Sequence, residues 1–521
     1  MQFIQPQNRA QVTFNSLEDS VAPDNPVRLI DAFVEHLDLA QLKFNVSVLN
    51  KEGRPAFKSG VFLKLYFYGY LNGIRSSRRL EKECCRNTEL QWLLGQLKPN
   101  YHSIADFRKV NPTALRNTFK LFVLFLKDAS LVSGDVVAVD GTKIRAHNSK
   151  KNNYSPNKIK RHLAYIENKT AEYLNALDAL DKTESLEKVN HIAEKIKHLK
   201  ENKIKYEALG AVLDASGEPQ VSTTDADARA LLVQGQVVEV SYNVETAVDS
   251  LHKLVVATHT INRNDRNALA PITLEAKDNL SADNFTLLAD KGFYNSRHLQ
   301  TCIDNNITTL VATPEMVNSN DKGTTADYLA AKFIYNKADD TYTCPANQTL
   351  HTNGTWYTKT KTSRSTPYRY RKFHTGACAT CAVKKLCTAQ AKRGRFIERS
   401  EFAAAAEQNA KHYKANWNLY RKRQEINEHI FGTIKRKWGY NHTNLTGLQK
   451  VNGEMALIMT LYNFKRVINI LGFDDFLNKL KKWKPDYTKI VLALLKIRLF
   501  KAHYTLSFFC NQLCNLKTAP R

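Results

Sequence analysis

A chain of 521 residues is longer than one ordinary hydrophobic core supports, so roughly two to four structural units are expected. Hydrophobic residues at 43% and charged residues at 24% fit a soluble globular protein. Lys and Arg number 76 against 50 acids, a net charge of +26, which points to a polyanionic partner, nucleic acid ahead of an anionic membrane. The most apolar runs, residues 61–71 and 489–500, are broken by Lys or Arg and fall short of the roughly 20 residues of a membrane span. Nine cysteines, odd in number and unevenly clustered, do not make a disulfide framework. The N-terminal MQFIQPQNRAQV has no apolar signal-peptide core, so the expected location is the cytoplasm.

Residues 1–130 read as a helical domain. NPVRLIDAFVEHLDL and SGVFLKLYFYGYLNGI place apolar residues at helical spacing, and SIADFRKVNPTALRNTFKLFVLFLKD reads as two helices divided at Asn111-Pro112. Arg75, Arg78, Arg79, Arg108 and Arg116 decorate this region. They suit a DNA-binding unit, and equally a helical domain with a solvated basic face.

Residues 131–314 alternate strands and helices. VVAVD leads to Asp140 and a Gly-containing DGTK turn. Residues 156–210 are a polar helical hairpin with one narrow seam: Ile159, Leu163, Ile166, Leu174 and Leu177, then Leu186, Val189, Ile192, Ile196 and Leu199, with DALDKTES as the bend. Strands return at 237–250 and 252–263, joined as a hairpin. A helix, APITLEAKDNL, precedes the strand NFTLLAD, which ends on Asp290; HLQTCIDNN and TTLVA add a helix and a strand. Residues 315–400 form an irregular basic insert with four cysteines. Helices resume over 401–471, one from near 401 to about 437 and an apolar one at about 446–471; the basic tail 472–521 has no assigned role.

Asp140 and Asp290 share a design, an apolar run ending on an acid before a Gly-containing turn, and strand C-terminal ends are where α/β sheets present functional groups. A third acid, Glu428, lies in RKRQEINEHIFGTIKRKWGY. Ile426, Ile430 and Ile434 mark the buried stripe of that helix, and Arg421 and Lys435 lie seven residues before and after Glu428, on its face. Two strand aspartates and a helix glutamate in a basic chain suit phosphoryl transfer at two Mg²⁺ or Mn²⁺ ions, which take hard oxygen ligands.

DGTKIRAH, YNVETAVDS, LLADKGFYNS and INEHIFGTIKRKWGY, in that order, resemble the DDE transposases of bacterial insertion sequences, and NPVRLIDAFVEHLDL and HSIADFR resemble their leading domain. The resemblance spans most of residues 10–470. It implies an α/β fold, a ribonuclease H-like mixed-sheet core, with Asp140, Asp290 and Glu428 as metal-binding catalytic triad. Related transposases often carry Tyr and Arg seven and four residues before the Glu and Lys seven after. Lys435 fits; Tyr420 and Arg423 stand one residue out of register, with Arg421 and Gln424 at the expected places. Expected DNA contacts are Arg421, Lys435, Arg423, Tyr420 and Lys143.

Cys378-Ala-Thr-Cys381, Cys387 and Cys344 can close a structural zinc site, with His351 and His374 as substitutes; reduced free thiols are the alternative. Arg369, Arg371, Lys372, Lys384, Lys385, Lys392, Arg393 and Arg395 around them suit DNA phosphates. Cys84, Cys85, Cys302, Cys510 and Cys514 show no such spacing. The expected function is transposition: cleavage at element ends and strand transfer into double-stranded target DNA, by a homodimer assembled on DNA, without a membrane. The alternatives are a nuclease of the same fold without strand transfer and a non-catalytic DNA-binding relative.

Overall fold

The computed structural model describes residues 10–12, 14–45, 56–179, 186–233, 237–314, 324–360, 366–390 and 394–488. Lys392, Arg393, Cys510, Cys514 and the apolar run 489–500 lie outside the described residues, as do most of the DALDKTES bend and the tail beyond 488. The chain divides into two compact units. The first comprises residues 1–265, 272–282 and 424–521; the second comprises residues 266–271 and 283–423.

The first unit opens with six helices: α1 Val27–Glu35, α2 Ser59–Leu71, α3 Ser77–Arg86, α4 Thr88–Leu94, α5 Tyr101–Val110 and α6 Pro112–Asp128. Helix α2 buries eight of its thirteen residues, from Phe62 to Tyr70, as a helix apolar all round must. The break at Asn111-Pro112 falls as expected: Pro112 opens α6, where its missing N–H costs nothing. Of the arginines expected on a basic face, Arg108 is instead buried, bonded to the Tyr70 hydroxyl and 3.5 Å from the buried Glu454. Arg75 donates to the carbonyls of Gly439 and His442, and Arg116 faces Glu275 at 3.5 Å. Aromatic side chains at helical spacing demand a core, and Arg108 is drawn into it.

Strand β1, Val136–Arg145, starts the sheet. A two-residue strand β2 (Asn153–Tyr154) leads into helices α7 (Pro156–Ala179) and α8 (Leu186–Ser216), which pack on each other, and β3 (Val221–Ser222) pairs with β2 to close the base. The seam of this arm is tight at its base, where Tyr154, Ile159 and Leu213 are buried, and loosens outward: Leu174 is 49% and Val189 37% exposed. Strand β4, Arg229–Val233, was not foreseen. The hairpin β5 (Val237–Asp249) and β6 (Val255–Ile261) is antiparallel as expected. Most residues of β5 that pair with β1 also pair with β6 or β4, so β1 lines one edge of β5 and β6 and β4 follow along the other. Helix α9, Leu269–Leu280, follows.

In the second unit, β7 (Phe285–Ala289) and β8 (Ile307–Val311) are parallel neighbours joined by α10 (Ser296–Asp304). The insert is more regular than its composition suggests. Strands β9 (Ile334–Asn336), β10 (Thr341–Thr343) and β11 (Thr349–Leu350) make one small sheet, and β12 (Tyr357–Lys359), β13 (Tyr368–Phe373) and β14 (Ile397–Ser400) another, with a single turn of helix, α11 (Lys384–Cys387), between β13 and β14 in the chain. They close over a core of Phe333, Tyr342, Leu350, Phe373 and Ile397. Helix α12, Ala403–Ala415, then covers β8: buried Asn409 accepts from the Val311 N–H at 2.9 Å and donates to its carbonyl at 2.8 Å, satisfying backbone groups that a bare edge would expose.

The helix expected over 401–437 is broken at Asn416; α13 spans Trp417–Phe431, and residues Gly432–Lys437 form a π-helical turn. Helix α14, Leu448–Lys482, is longer than the expected 446–471 and bends at Gly472, whose φ of 74° a side chain would resist. The bend returns Phe476 to Phe464 (ring centroids 5.0 Å) and Phe125, and Trp483 to Phe125. The start of the tail is therefore core of the first unit. In that unit α14 covers β6 as α12 covers β8: Asn463 bonds both the N–H and the carbonyl of Val255, at 2.8 and 2.7 Å. Among the described residues no helix is long and apolar enough to cross a membrane.

Candidate active site

Asp140 does not end its strand. Strand β1 runs on to Arg145, so DGTK is strand rather than turn, and Asp140 lies mid-strand opposite Thr246 of β5. Cross-strand partners share a face, so Asp140, Thr142 and Thr246 lie on one side. The Asp140 side chain is half-buried and accepts from the Gly141 N–H at 2.8 Å. Lys435 joins this side: its ammonium donates to Thr142 Oγ1 at 3.1 Å and to the Lys143 carbonyl at 3.0 Å. Burial, with the charge of Lys143 beside it, lowers its pKa. The Thr246 hydroxyl is buried without a hydrogen-bond partner.

The other face carries groups that the sequence reading missed. Lys143, expected at DNA, pairs with Asp265 at 3.1 Å. Asn243 donates to Asp265 at 2.6 Å and to Glu245 at 3.1 Å. Glu245 is fully buried, and burial together with Asp265 raises its pKa to about 9, against Lys143. A Cβ on Gly141 would stand 2.7 Å from Asp265 Oδ1, so only glycine leaves room for this cluster. Beside it, His259 pairs with Glu275, which Lys120 also faces at 3.2 Å. Burial alone would raise the Glu275 pKa; His259, Lys120 and Arg116 hold it well below the carboxylate range. Acids spaced along the buried strand YNVETAVDS were the available signal. Asp249 in that motif is structural, accepting from the N–H groups of Gly134 at 2.8 Å and Leu251 at 3.0 Å.

Asp290 does follow the end of its strand, β7, as expected. It belongs to the second unit, is half-buried, and caps a short 3₁₀ turn by accepting from the Gly292 N–H at 2.8 Å. On α13 the buried stripe is as read: Ile426, Ile430 and Ile434 are 3%, 0% and 1% exposed. Glu428 is exposed and accepts from Gln424, the residue at the family's Arg position, at 2.7 Å. Glu425 instead pairs with Lys253 at 2.7 Å. The π turn interposes extra residues per turn between Glu428 and Lys435, so the seven-residue spacing no longer places them on one helix face; Lys435 reaches β1 instead. Arg421 is exposed, and the Arg423 guanidinium lies 6.0 Å from the ring of half-buried Tyr420. Among the described residues no three His, Cys, Asp or Glu side chains stand close enough to hold a metal ion.

In the insert, Cys344, Cys378, Cys381 and Cys387 line one cavity of about 30 Å³. Burial and the other three thiols raise the Cys387 pKa, against Arg395. The Gln348 N–H points at Cys344 Sγ at 3.3 Å, and a Cβ on Gly394 would come within 2.4 Å of Cys378 Cβ. His351 and His374 are backbone partners of each other and do not line this cavity.

Two family models match the chain: a transposase domain over residues 15–110 and a transposase DDE domain over residues 343–468. The chain is a DDE transposase of the insertion-sequence type. Its leading match covers helices α1 to α5, and its second covers the cysteine cavity, α12, α13 with Glu428, and the first half of α14. Asp140 and Asp290 lie outside the matched residues of this transposase. Neither the comparison with curated proteins nor that with solved structures gave a match.

Proposed function

We propose that the transposase cuts DNA at the ends of its element and joins the freed 3′ ends to target DNA, with Asp140, Asp290 and Glu428 as catalytic carboxylates of a ribonuclease H-like core. The observation that carries this reading is Asp140: a half-buried carboxylate rooted mid-strand, on the face that Lys435 also reaches, in a chain whose DDE-domain match contains Glu428. The order β1, β5–β6 hairpin, α9, β7 supports the same core.

DDE transposases generally use divalent metal ions. The three acids offer only carboxylate oxygens, a donor set that fits two Mg²⁺ or Mn²⁺ ions. Such ions, when bound, polarise the scissile phosphate and make water, then the 3′-hydroxyl, a competent nucleophile. The chain's own part is positioning. Strand pairing on β5 fixes Asp140, Lys435 presents a cation on the same face, and Arg421, Arg423 and Tyr420 meet the flanking DNA backbone. Cys344, Cys378, Cys381 and Cys387 line one small cavity and would draw together to hold a structural zinc ion that staples the insert. The arm α7–α8 reaches DNA or a second subunit in a homodimer assembled on DNA, in the cytoplasm at the nucleoid.

The test is a strand-transfer assay with a pre-cleaved element end, Mg²⁺ and a supercoiled target. Joined product from the wild type and none from Asp140→Ala is expected. Cleavage without joining would leave a nuclease; activity in Asp140→Ala would remove Asp140 from the site.

A further inference from the structure

A cleft of about 490 Å³ lies wholly within the first unit, beyond the C-terminal end of Glu428's helix. Its walls are the end of α2 (Leu71 to Gly73), His429 and Thr433, Lys437 and Trp438, and one side of α14 with Tyr462, Lys465, Arg466 and Asn469. Three permanent cations line it and no carboxylate does. Among the described residues none of Lys437, Lys465 and Arg466 pairs with an acid, although the chain pairs many of its other cations. Arg466 is fixed at the wall by donating Nε–H to the His252 carbonyl at 2.8 Å, and the Lys465 ammonium stands 5.8 Å from the Trp438 ring. His429 lies 3.0 Å from the Tyr462 hydroxyl, and burial with the charges of Arg466, Lys437 and Lys253 holds its pKa down.

Like charges gathered without a counter-ion repel, and a bound anion relieves that cost. The volume exceeds what one free phosphate ion needs and suits a phosphodiester with its sugar. We infer that this cleft is a phosphate-binding subsite for the DNA backbone, with Lys437, Lys465 and Arg466 as its cations and His429, Thr433 and Asn469 as its hydrogen-bonding groups. The inference rests on the reading of the chain as an enzyme that acts on DNA.

The experiment measures duplex binding by the full chain from low to high salt, for the wild type, Lys437→Gln/Lys465→Gln and Lys437→Arg/Lys465→Arg. Both lysines are exposed, so the folded state tolerates these changes. Each lost phosphate contact lowers the log–log salt slope by about 0.9, so the Gln pair should flatten it by roughly 1.8 and the Arg pair should restore it. A wild type that binds DNA with a slope unchanged in the Gln pair overturns the inference alone. A wild type that binds no DNA overturns both this inference and the function it rests on. Inorganic phosphate raising the Tm of the wild type but not of the Gln pair, with an unchanged DNA slope, would also overturn it, since the cleft would then take a free anion.

Discussion

The two faces of the β1–β5 pair each carry a carboxylate, Asp140 on one and Glu245 on the other, and they differ in how far it is sealed. On one, Asp140 and Thr142 stay half-buried, and Lys435 reaches over from the π turn after α13. On the other, buried Glu245 and Asn243 close on half-buried Asp265 and Lys143, and His259, Glu275 and Lys120 form a second, half-buried network beside them. A half-buried carboxylate that solvent still reaches is available for chemistry. A carboxylate sealed among cations holds the fold together, and one sealed without a full set of partners keeps its proton.

The largest way to break this comparison is Asp140→Asn, which should lower cleavage by about a thousand-fold or more while leaving thermal stability and DNA binding close to wild type. A fall in both would mean that Asp140 is structural like its neighbours on the other face.

Glu275→Gln should do the reverse. Removing one member of a mostly buried charge cluster costs up to about 3–5 kcal/mol, read from urea unfolding. Because the folded pKa of Glu275 is depressed, its contribution is present above the unfolded value of 4.5 and is lost as pH falls toward the folded pKa. The variant should lose that acid-side dependence.

Glu245→Gln sharpens the contrast within the buried face. Its pKa is raised from 4.5 to about 9, so the folded state holds a proton that the unfolded chain releases across that window. Wild-type stability should therefore decline as pH rises from about 5 to 9, and the Gln variant should decline less over that window. An identical pH profile for the two would show that Glu245 is ionised in the fold.

The smallest effect belongs to α13. Glu425 makes an exposed ion pair with Lys253, so Glu425→Gln should cost under about 1 kcal/mol and spare activity. Glu428→Gln should leave stability unchanged and remove metal-dependent cleavage. An inactive Glu425 variant would exchange their roles.

Patterns that depend on neighbours along the chain were legible in the sequence. The helix break at Asn111-Pro112, the narrow seam of α7–α8, the β5–β6 hairpin and the stripe Ile426, Ile430 and Ile434 all follow from local period and from proline and turn chemistry, and the family resemblance ordered the three acids. What depends on partners distant in sequence was not legible. DGTK reads as a turn until β5 pairs along its whole length. Arg108 and Lys143 read as surface cations until Glu454 and Asp265 meet them. The seven-residue step from Glu428 to Lys435 holds only for an unbroken α-helix, and the π turn breaks it. Local sequence sets which conformations and burial patterns are cheap; which charge meets which is settled only when packing removes water from both, and that is a property of the tertiary structure.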